Sequence, residues 1–383
     1  MGFFLSVDGR EGLDKIVHVV FRVDASIEIG TGHVMRSLTL AEELKQRGVF
    51  VRFICREHSG NLCDFLRQKD YLVHKLPPID YLQHAPKMSV RHFYEKWLGV
   101  EWNRDAEQTM ESISDTPVDW FIVDHYGIDY KWEENIIEKV GCRILVIDDL
   151  ANRQHACDVL LDQNLYHNMT IRYEGLVPNH CKMLLGPEYA LLREEFFEER
   201  KHVKQRNGDV KRILVFFGGS DPTNETSKAL EAISFLQRQD FIVDVVVGNS
   251  NPNKELIAKI CEKHENFLFH CQINYMAKLI AQADLAIGAG GSTTWERCSL
   301  GLPTITITTA ENQMEMTKDV ASTGAIQFLG HSYDVSVGRI REALIECLDN
   351  PERLREMSAI SLELMGNVKT GGTARVVSAI WEE

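Results

Sequence analysis

No uninterrupted apolar stretch of this chain reaches the length of a membrane span, which argues against insertion in a bilayer as transmembrane helices. Cysteine occurs nine times, at Cys55, Cys63, Cys142, Cys157, Cys181, Cys261, Cys271, Cys298 and Cys347, but never as a CxxC pair or with metal-finger spacing. Neither a zinc module nor a disulfide framework is therefore expected. The nine read as reduced, mostly buried thiols, with the cytoplasm as the expected compartment. Basic charge is in deficit, with 42 Lys and Arg against 56 Asp and Glu and a formal net charge of -14. That balance argues against broad binding to nucleic acid or to anionic membranes, so an anionic ligand must be held locally by loops and helix ends. There is also no low-complexity tract and no short tandem repeat, which argues against a solenoid. Residues 1–15, an apolar tip followed by alternating charges, lack the shape of a signal peptide and are expected to form an extension before the first strand.

At 383 residues the chain exceeds what one hydrophobic core usually supports, so two domains are expected. Apolar, β-rich runs at Ile16–Val23, Val49–Cys55, Tyr71–Leu76, Trp120–Val123, Ile144–Ile147, Val159–Leu161 and Met183–Leu185 are mostly separated by helical patterns. A charged segment from Glu194 to Arg206, including Lys204, then interrupts the pattern. It restarts with runs at Ile213–Phe217, Phe241–Val247, Phe267–His270, Leu285–Ile287, Thr304–Ile307 and Ile326–Leu329, followed by a helix-rich tail from Val335 to Glu383. The expected architecture is α/β, two Rossmann-like domains at 16–200 and 201–383 facing a central cleft, the helical tail belonging to the second.

Four loops carry candidate chemistry. In Gly30-Thr31-Gly32-His33-Val34-Met35-Arg36 an apolar strand runs into a glycine loop and a helix with an apolar stripe at Val34, Leu38, Leu40, Ala41 and Leu44. Such a loop opens at the carboxyl end of a parallel sheet, where ligands of open α/β folds bind. His33 then falls in the first helical turn, where the positive end of the helix dipole favours neutral imidazole, a form suited to a general base. A capping or packing histidine is the competing reading. Phe216-Phe217-Gly218-Gly219-Ser220-Asp221 leads into a helix near Asn224 and suits a phosphate equally as well as a tight turn. In Gly288-Ala289-Gly290-Gly291-Ser292-Thr293-Thr294-Trp295-Glu296, Ser292 and Thr293 are positioned to cap a helix aimed at a pyrophosphate. Glu296, one turn along, is placed to accept from both hydroxyls of a ribose, or else only complements the helix dipole. Asn312 and Gln313, at the exit of the following strand, are expected near the same place. Asp148-Asp149 and Asp124-His125-Tyr126 also end strands; the first is read as a metal-binding or base-activating pair or as turn formers, the histidine of the second as a satisfied half-buried side chain, and Trp97 as packing.

These motifs carry a resemblance. The stretch from Gly218 to Gln313 resembles nucleotide-sugar enzymes of the GT-B fold, in particular the MurG-like glycosyltransferases. From about Ile16 onward the chain resembles more closely the UDP-2,4-diacetamido-2,4,6-trideoxy-beta-L-altropyranose hydrolases of pseudaminic acid biosynthesis, whose relatives include spore-coat polysaccharide enzymes. Arg22-Val23-Asp24-Ala25-Ser26, the His33 loop, Trp97-Leu98-Gly99-Val100, Val123-Asp124-His125-Tyr126, Gly290 to Glu296 and Asn312-Gln313 are similar to motifs of that family and stand in the same order. The resemblance implies His33 as catalytic histidine, with Gly32, Arg36 and Tyr126 on the sugar side. It implies a UDP site at Gly291, Ser292, Thr293 and Glu296, joined by Gly218, Gly219 and Ser220, with Asn312 and Gln313 near the diphosphate or sugar and uracil held by backbone groups around Ile273 and Asn274. No metal and no cofactor are implied. Many members have Cys where this chain has Ser37, so a nucleophilic thiol is excluded there. The implied reaction is release of UDP and free sugar from a UDP-sugar partner; oligomeric state stays open. A MurG-type transferase, a UDP-GlcNAc 2-epimerase and a non-catalytic sugar-nucleotide binder are the alternatives.

Overall fold

The computed structural model describes residues 16–78, 94–113, 116–203, 205–366 and 371–381. The expected extension at 1–15, Lys204 and the last two residues of the tail lie outside the described residues. The chain divides into two compact units, one containing residues up to Gln163, Asn168–Leu191 and the chain from Gly372, the other Asn164–His167 and Leu192–Gly371.

The first unit is built on seven parallel strands, β1 (His18–Val23), β2 (Phe50–Arg56), β3 (Leu72–Leu76), β4 (Trp120–Asp124), β5 (Arg143–Ile147), β6 (Val159–Asp162) and β7 (Lys182–Leu185). Helices α1 (Gly32–Gln46), α2 (Cys63–Gln68), α3 (Glu95–Leu98), α4 (Trp102–Glu111) and α5 (Tyr130–Val140) lie between them in the chain. The strand order is β3-β2-β1-β4-β5-β6-β7. All five residues of β4 are buried, which is why this strand reads as a continuous apolar run without alternation. Helix α1 buries the expected stripe, Val34, Leu38, Leu40, Ala41 and Leu44, and Gly48, at φ +83°, turns the chain away just after its end.

The second unit contains α6 (Glu194–Arg200), then β8 (Arg212–Phe216), α7 (Glu225–Ser234), β9 (Ile242–Val247), α8 (Lys254–Cys261), β10 (Phe267–Cys271) and α9 (Met276–Gln282). It continues with β11 (Leu285–Ala289), α10 (Thr293–Ser299), β12 (Thr304–Thr308), α11 (Met314–Ser322), β13 (Ile326–His331), α12 (Val337–Leu348) and α13 (Pro351–Leu364). Its six strands are parallel in the order β10-β9-β8-β11-β12-β13. Each sheet thus has one place where the order reverses, between β1 and β4 and between β8 and β11. There the loops diverge to opposite faces and leave a crevice at the carboxyl edge.

Two boundaries differ from the sequence reading. The charged segment belongs to the second unit, which begins at Leu192 and not at 201, because α6 buries Phe196 in a core with Leu214, Met276 and Leu300. The last helix of the tail, α14 (Gly372–Trp381), belongs to the first unit: Val376, Val377 and Ile380 are buried in the same core as Leu40 and Leu44 of α1. A short segment, Asn164–His167, belongs to the second unit, and the buried indole of Trp295 donates to Asn164 Oδ1 at 2.9 Å.

Candidate active site

In the first unit, strand pairing sets Asp124 directly opposite Val23, so the carboxyl ends of β4 and β1 are level at the order reversal. The glycine loop after β1, with Gly30 at φ +79°, carries the chain into α1. Residues 33, 36 and 37 then fall on one helical face. All three reach the same carboxylate. His33 Nδ1 lies 2.6 Å from Asp124 Oδ1, Arg36 donates through Nε and Nη2 at 2.7 and 2.6 Å, and Ser37 Oγ donates at 3.2 Å. Burial alone would raise the pKa of Asp124, but the charges of Arg36 and His33 and their hydrogen bonds outweigh it and hold the carboxyl well below its ordinary range. An ionised carboxylate only accepts, so the proton between this pair sits on Nδ1 and Nε2 of His33 is left as the basic nitrogen. Arg36 Nη2, 3.2 Å from Nδ1, donates to the same Oδ1, so the guanidinium and the imidazole N–H share one carboxylate oxygen.

Arg36 also bridges to a second carboxylate, donating from Nη1 to Asp149 Oδ2 at 3.2 Å. Asp149 in turn accepts from the hydroxyl of Tyr126. The phenol of Tyr126 is thus directed at Asp149, while its ring meets His33 edge-on, with centroids 4.5 Å apart. Burial and Asp149 push its pKa well above the ordinary value, so the phenol keeps its proton. Asp148 and Asp149 do not act as a pair. Asp148 is engaged by Arg153 at 2.6 Å, by the amides of Leu150 and Ala151 and by Tyr173, and serves the turn after β5. His125 is buried outright, more so than expected, with Nε2 3.3 Å from Asp24 and Nδ1 accepting from the amide of Gly127.

In the second unit, parallel strands bring every named loop to one edge. Gly218, at φ +88°, and the exposed Gly219 and Ser220 follow β8; Gly290 to Thr293 follow the adjacent β11; Asn312 and Gln313 follow β12. Gly290 is required by close approach, since a Cβ there would lie 2.7 Å from Thr317 Oγ1 and 3.1 Å from Thr308 Cγ2. Gln313 stands against this turn and accepts from the amide of Thr309 at 3.0 Å, whereas Asn312 is exposed. Ile273 and Asn274 follow β10, two strands from β8 on the same edge. Glu296 lies one turn into α10, with Arg193 Nη2 3.4 Å from its Oε1. Burial pushes its pKa up against the opposing charges of Arg193 and Arg297.

Two details depart from the sequence reading. Ser292 stands at the N-cap of α10 but makes no side-chain cap hydrogen bond. At α7 the reverse holds: Asp221 accepts from the amides of Glu225 and Thr226, both at 2.9 Å, so that helix end already has its anion. The phosphate reading of this loop therefore rests on Gly218, Gly219 and Ser220 and not on the helix behind them. From sequence Asp149 was read only with Asp148, as a metal-binding or base-activating pair or as turn formers, and Asp124 only as part of its strand-end motif, with no role of its own. Their signal was available in kind, an acid at each of two strand exits, but it becomes specific only once β4 is known to adjoin β1.

Two parallel-sheet Rossmann-like units, each with polar residues gathered where its strand order reverses, define an α/β protein of the GT-B fold class. A solved structure of MurG from Acinetobacter baumannii shares the fold, with a TM-score of 0.61 at 16% identity over 96% of this chain and 100% of that one. Residues 213–370 match the family model described as glycosyltransferase family 28 C-terminal domain. The UDP-2,4-diacetamido-2,4,6-trideoxy-beta-L-altropyranose hydrolase of Campylobacter jejuni is 30% identical over 72% of this chain and 85% of its own length. The spore coat polysaccharide biosynthesis protein SpsG of Bacillus subtilis is 26% identical over 82% of this chain and 84% of its own. The chain belongs to the family of the UDP-2,4-diacetamido-2,4,6-trideoxy-beta-L-altropyranose hydrolase.

Proposed function

We propose that the protein hydrolyses a UDP-activated diacetamido-trideoxy hexose, UDP-2,4-diacetamido-2,4,6-trideoxy-β-L-altropyranose or a close relative, to UDP and free sugar. The step belongs to pseudaminic acid or related surface polysaccharide biosynthesis, runs in the cytoplasm and uses no metal. The observation that carries this reading is the His33–Asp124 pair at the order reversal of the first sheet, 2.6 Å apart.

The chemistry follows from the tautomer. Asp124 accepts the Nδ1–H of His33 and fixes the ring, and Nε2 of His33 takes a proton from water as the water oxygen bonds to the anomeric carbon. The bond from that carbon to the diphosphate oxygen breaks, and its electron pair leaves with UDP. Attack opposite the leaving group inverts the anomeric centre. Backbone groups at Gly218–Ser220 and Gly291–Thr293 bind the diphosphate and stabilise the charge that develops on it. Glu296 accepts from the ribose hydroxyls, Ile273 and Asn274 hold uracil, and Asn312 and Gln313 stand at the diphosphate or sugar. Gly32, Arg36 and Tyr126 line the sugar side around His33.

The test is proton and phosphorus NMR of the purified protein with this UDP-sugar, in chelator and without acceptor, beside His33→Ala. Prompt release of UDP and inverted free sugar by the wild type alone is expected. Unchanged turnover in a folded His33→Ala protein would refute the base, and loss of turnover in chelator would refute metal independence. The match of residues 213–370 to a glycosyltransferase domain favours one rival, a transferase with a hydroxyl acceptor in place of water. It requires that sugar release stay negligible until an acceptor is added.

A further inference from the structure

The mechanism leaves one conspicuous group beside His33 without a task. Trp97, on the single-turn helix α3, stacks on Tyr126 with centroids 5.7 Å apart and planes 23° from parallel, and its ring lies 6.2 Å from that of His33. Tyr94 closes the cluster, edge-on to Trp97 at 4.7 Å and to Tyr126 at 5.1 Å. Tyr126 is 6% exposed, whereas Trp97 is only half-buried, so the indole is the solvent-facing layer of this stack.

The turn that carries Trp97 is built into place. A Cβ on Gly127 would come 2.8 Å from the carbonyl oxygen of Tyr94, so glycine is what lets this segment seat against the turn after β4. Gly99, at φ +79°, ends α3 in the left-handed conformation, and Lys96 reaches Glu28 of the loop that leads to His33 at 3.7 Å. A half-exposed aromatic face held beside a general base is a wall for the sugar that the activated water attacks. It offers dispersion contact and no acceptor for a hydroxyl, so a hydroxyl turned against it loses water without replacement.

We propose that Trp97, backed by Tyr126, is the specificity wall of the sugar site and selects N-acylated deoxy sugars through their methyl groups over hydroxylated hexoses. This rests on the hydrolase reading, which supplies the sugar at His33. A sugar that is deoxy at C6 and acetamido-substituted at C2 and C4 presents three methyl groups, where an ordinary hexosamine presents hydroxyls at C4 and C6.

The test measures calorimetric affinities of three probes, UDP-2,4-diacetamido-2,4,6-trideoxy-β-L-altropyranose, UDP-N-acetylglucosamine and UDP alone. It uses protein carrying His33→Ala so that no probe is consumed, with and without Trp97→Ala or Trp97→Phe. The expected result is about a tenfold or greater loss of trideoxy-sugar affinity with Trp97→Ala. UDP affinity should be unchanged, discrimination against UDP-N-acetylglucosamine should shrink, and Trp97→Phe should retain most of it. Unchanged UDP affinity also shows that the variant is folded. Equal losses for all three probes, or no loss for the trideoxy sugar while UDP still binds, would overturn the wall and leave the hydrolase reading standing. Failure of all three probes to bind before Trp97 is changed would overturn both.

Discussion

His33, Arg36 and Ser37 converge on one carboxylate, so a change at Asp124 reaches all three side chains at once. Asp124→Asn keeps the shape but lets the amide present its NH2 group to imidazole, which removes the demand for a proton on Nδ1. The expected outcome is a fall in kcat of about a thousandfold or more, with UDP affinity unchanged, read from steady-state kinetics and a UDP titration. Asp148, one strand over, tests stability and not chemistry. Burial would raise its pKa, but Arg153 and His155 bring it from 3.8 to about 2. A depressed carboxyl stabilises the fold above its unfolded pKa, and that contribution is lost as pH falls toward the folded value. Asp148→Asn should therefore cost about 3 kcal/mol or more near neutrality by stranding Arg153. The gap to wild type should narrow between pH 3.8 and about 2 in thermal melts. His33 was legible because its glycine loop and helix lie within a few residues of it. Asp124 was not: it is 91 residues away, and nothing local distinguishes an acid that ends a strand from one that orients a base.

At the level of elements, the strands were readable because a parallel sheet covered on both faces demands unbroken apolar runs, and β8 to β13 lie within two residues of the runs at either end. Helix ends were less readable, since an oxygen-bearing side chain before a helix can cap it or leave the amides to a ligand. Asp221 caps α7 from a positive-φ backbone position, φ +40°, three residues before the N-cap Asn224. Ser292, the better cap by type, leaves α10 uncapped. The glycine turn before α10 supplies a sharp test. Gly290→Ala puts a methyl group against Thr317 and Thr308 and should displace the turn, at a cost of about 1–3 kcal/mol in denaturant unfolding. UDP affinity should drop with it, whereas the first unit's His33–Asp124 pair is untouched, so kcat at saturating substrate should fall less than kcat/KM. A loss confined to kcat would count against a nucleotide role for this turn.

For the whole molecule, two domains of one repeating pattern were legible from chain length and from the restart of apolar runs after residue 212. The membership of the segments was not, because a helix in a tail carries no address in its own sequence. The apolar face of α14 fits either core in principle, and only the surfaces left open by the other elements decide. Among the described residues no helix is long and apolar enough to cross a membrane, and the nine cysteines are all free thiols. The seating of α14 against α1 has a consequence for how the protein is made. The helix that carries His33 and Arg36 is translated before the second unit, yet part of the surface that buries its back, α14, is translated only after it. The first domain therefore waits, incompletely folded, through synthesis of the entire second domain. A polypeptide that stalls before Gly372 contains every residue proposed for catalysis but lacks part of the core that holds them.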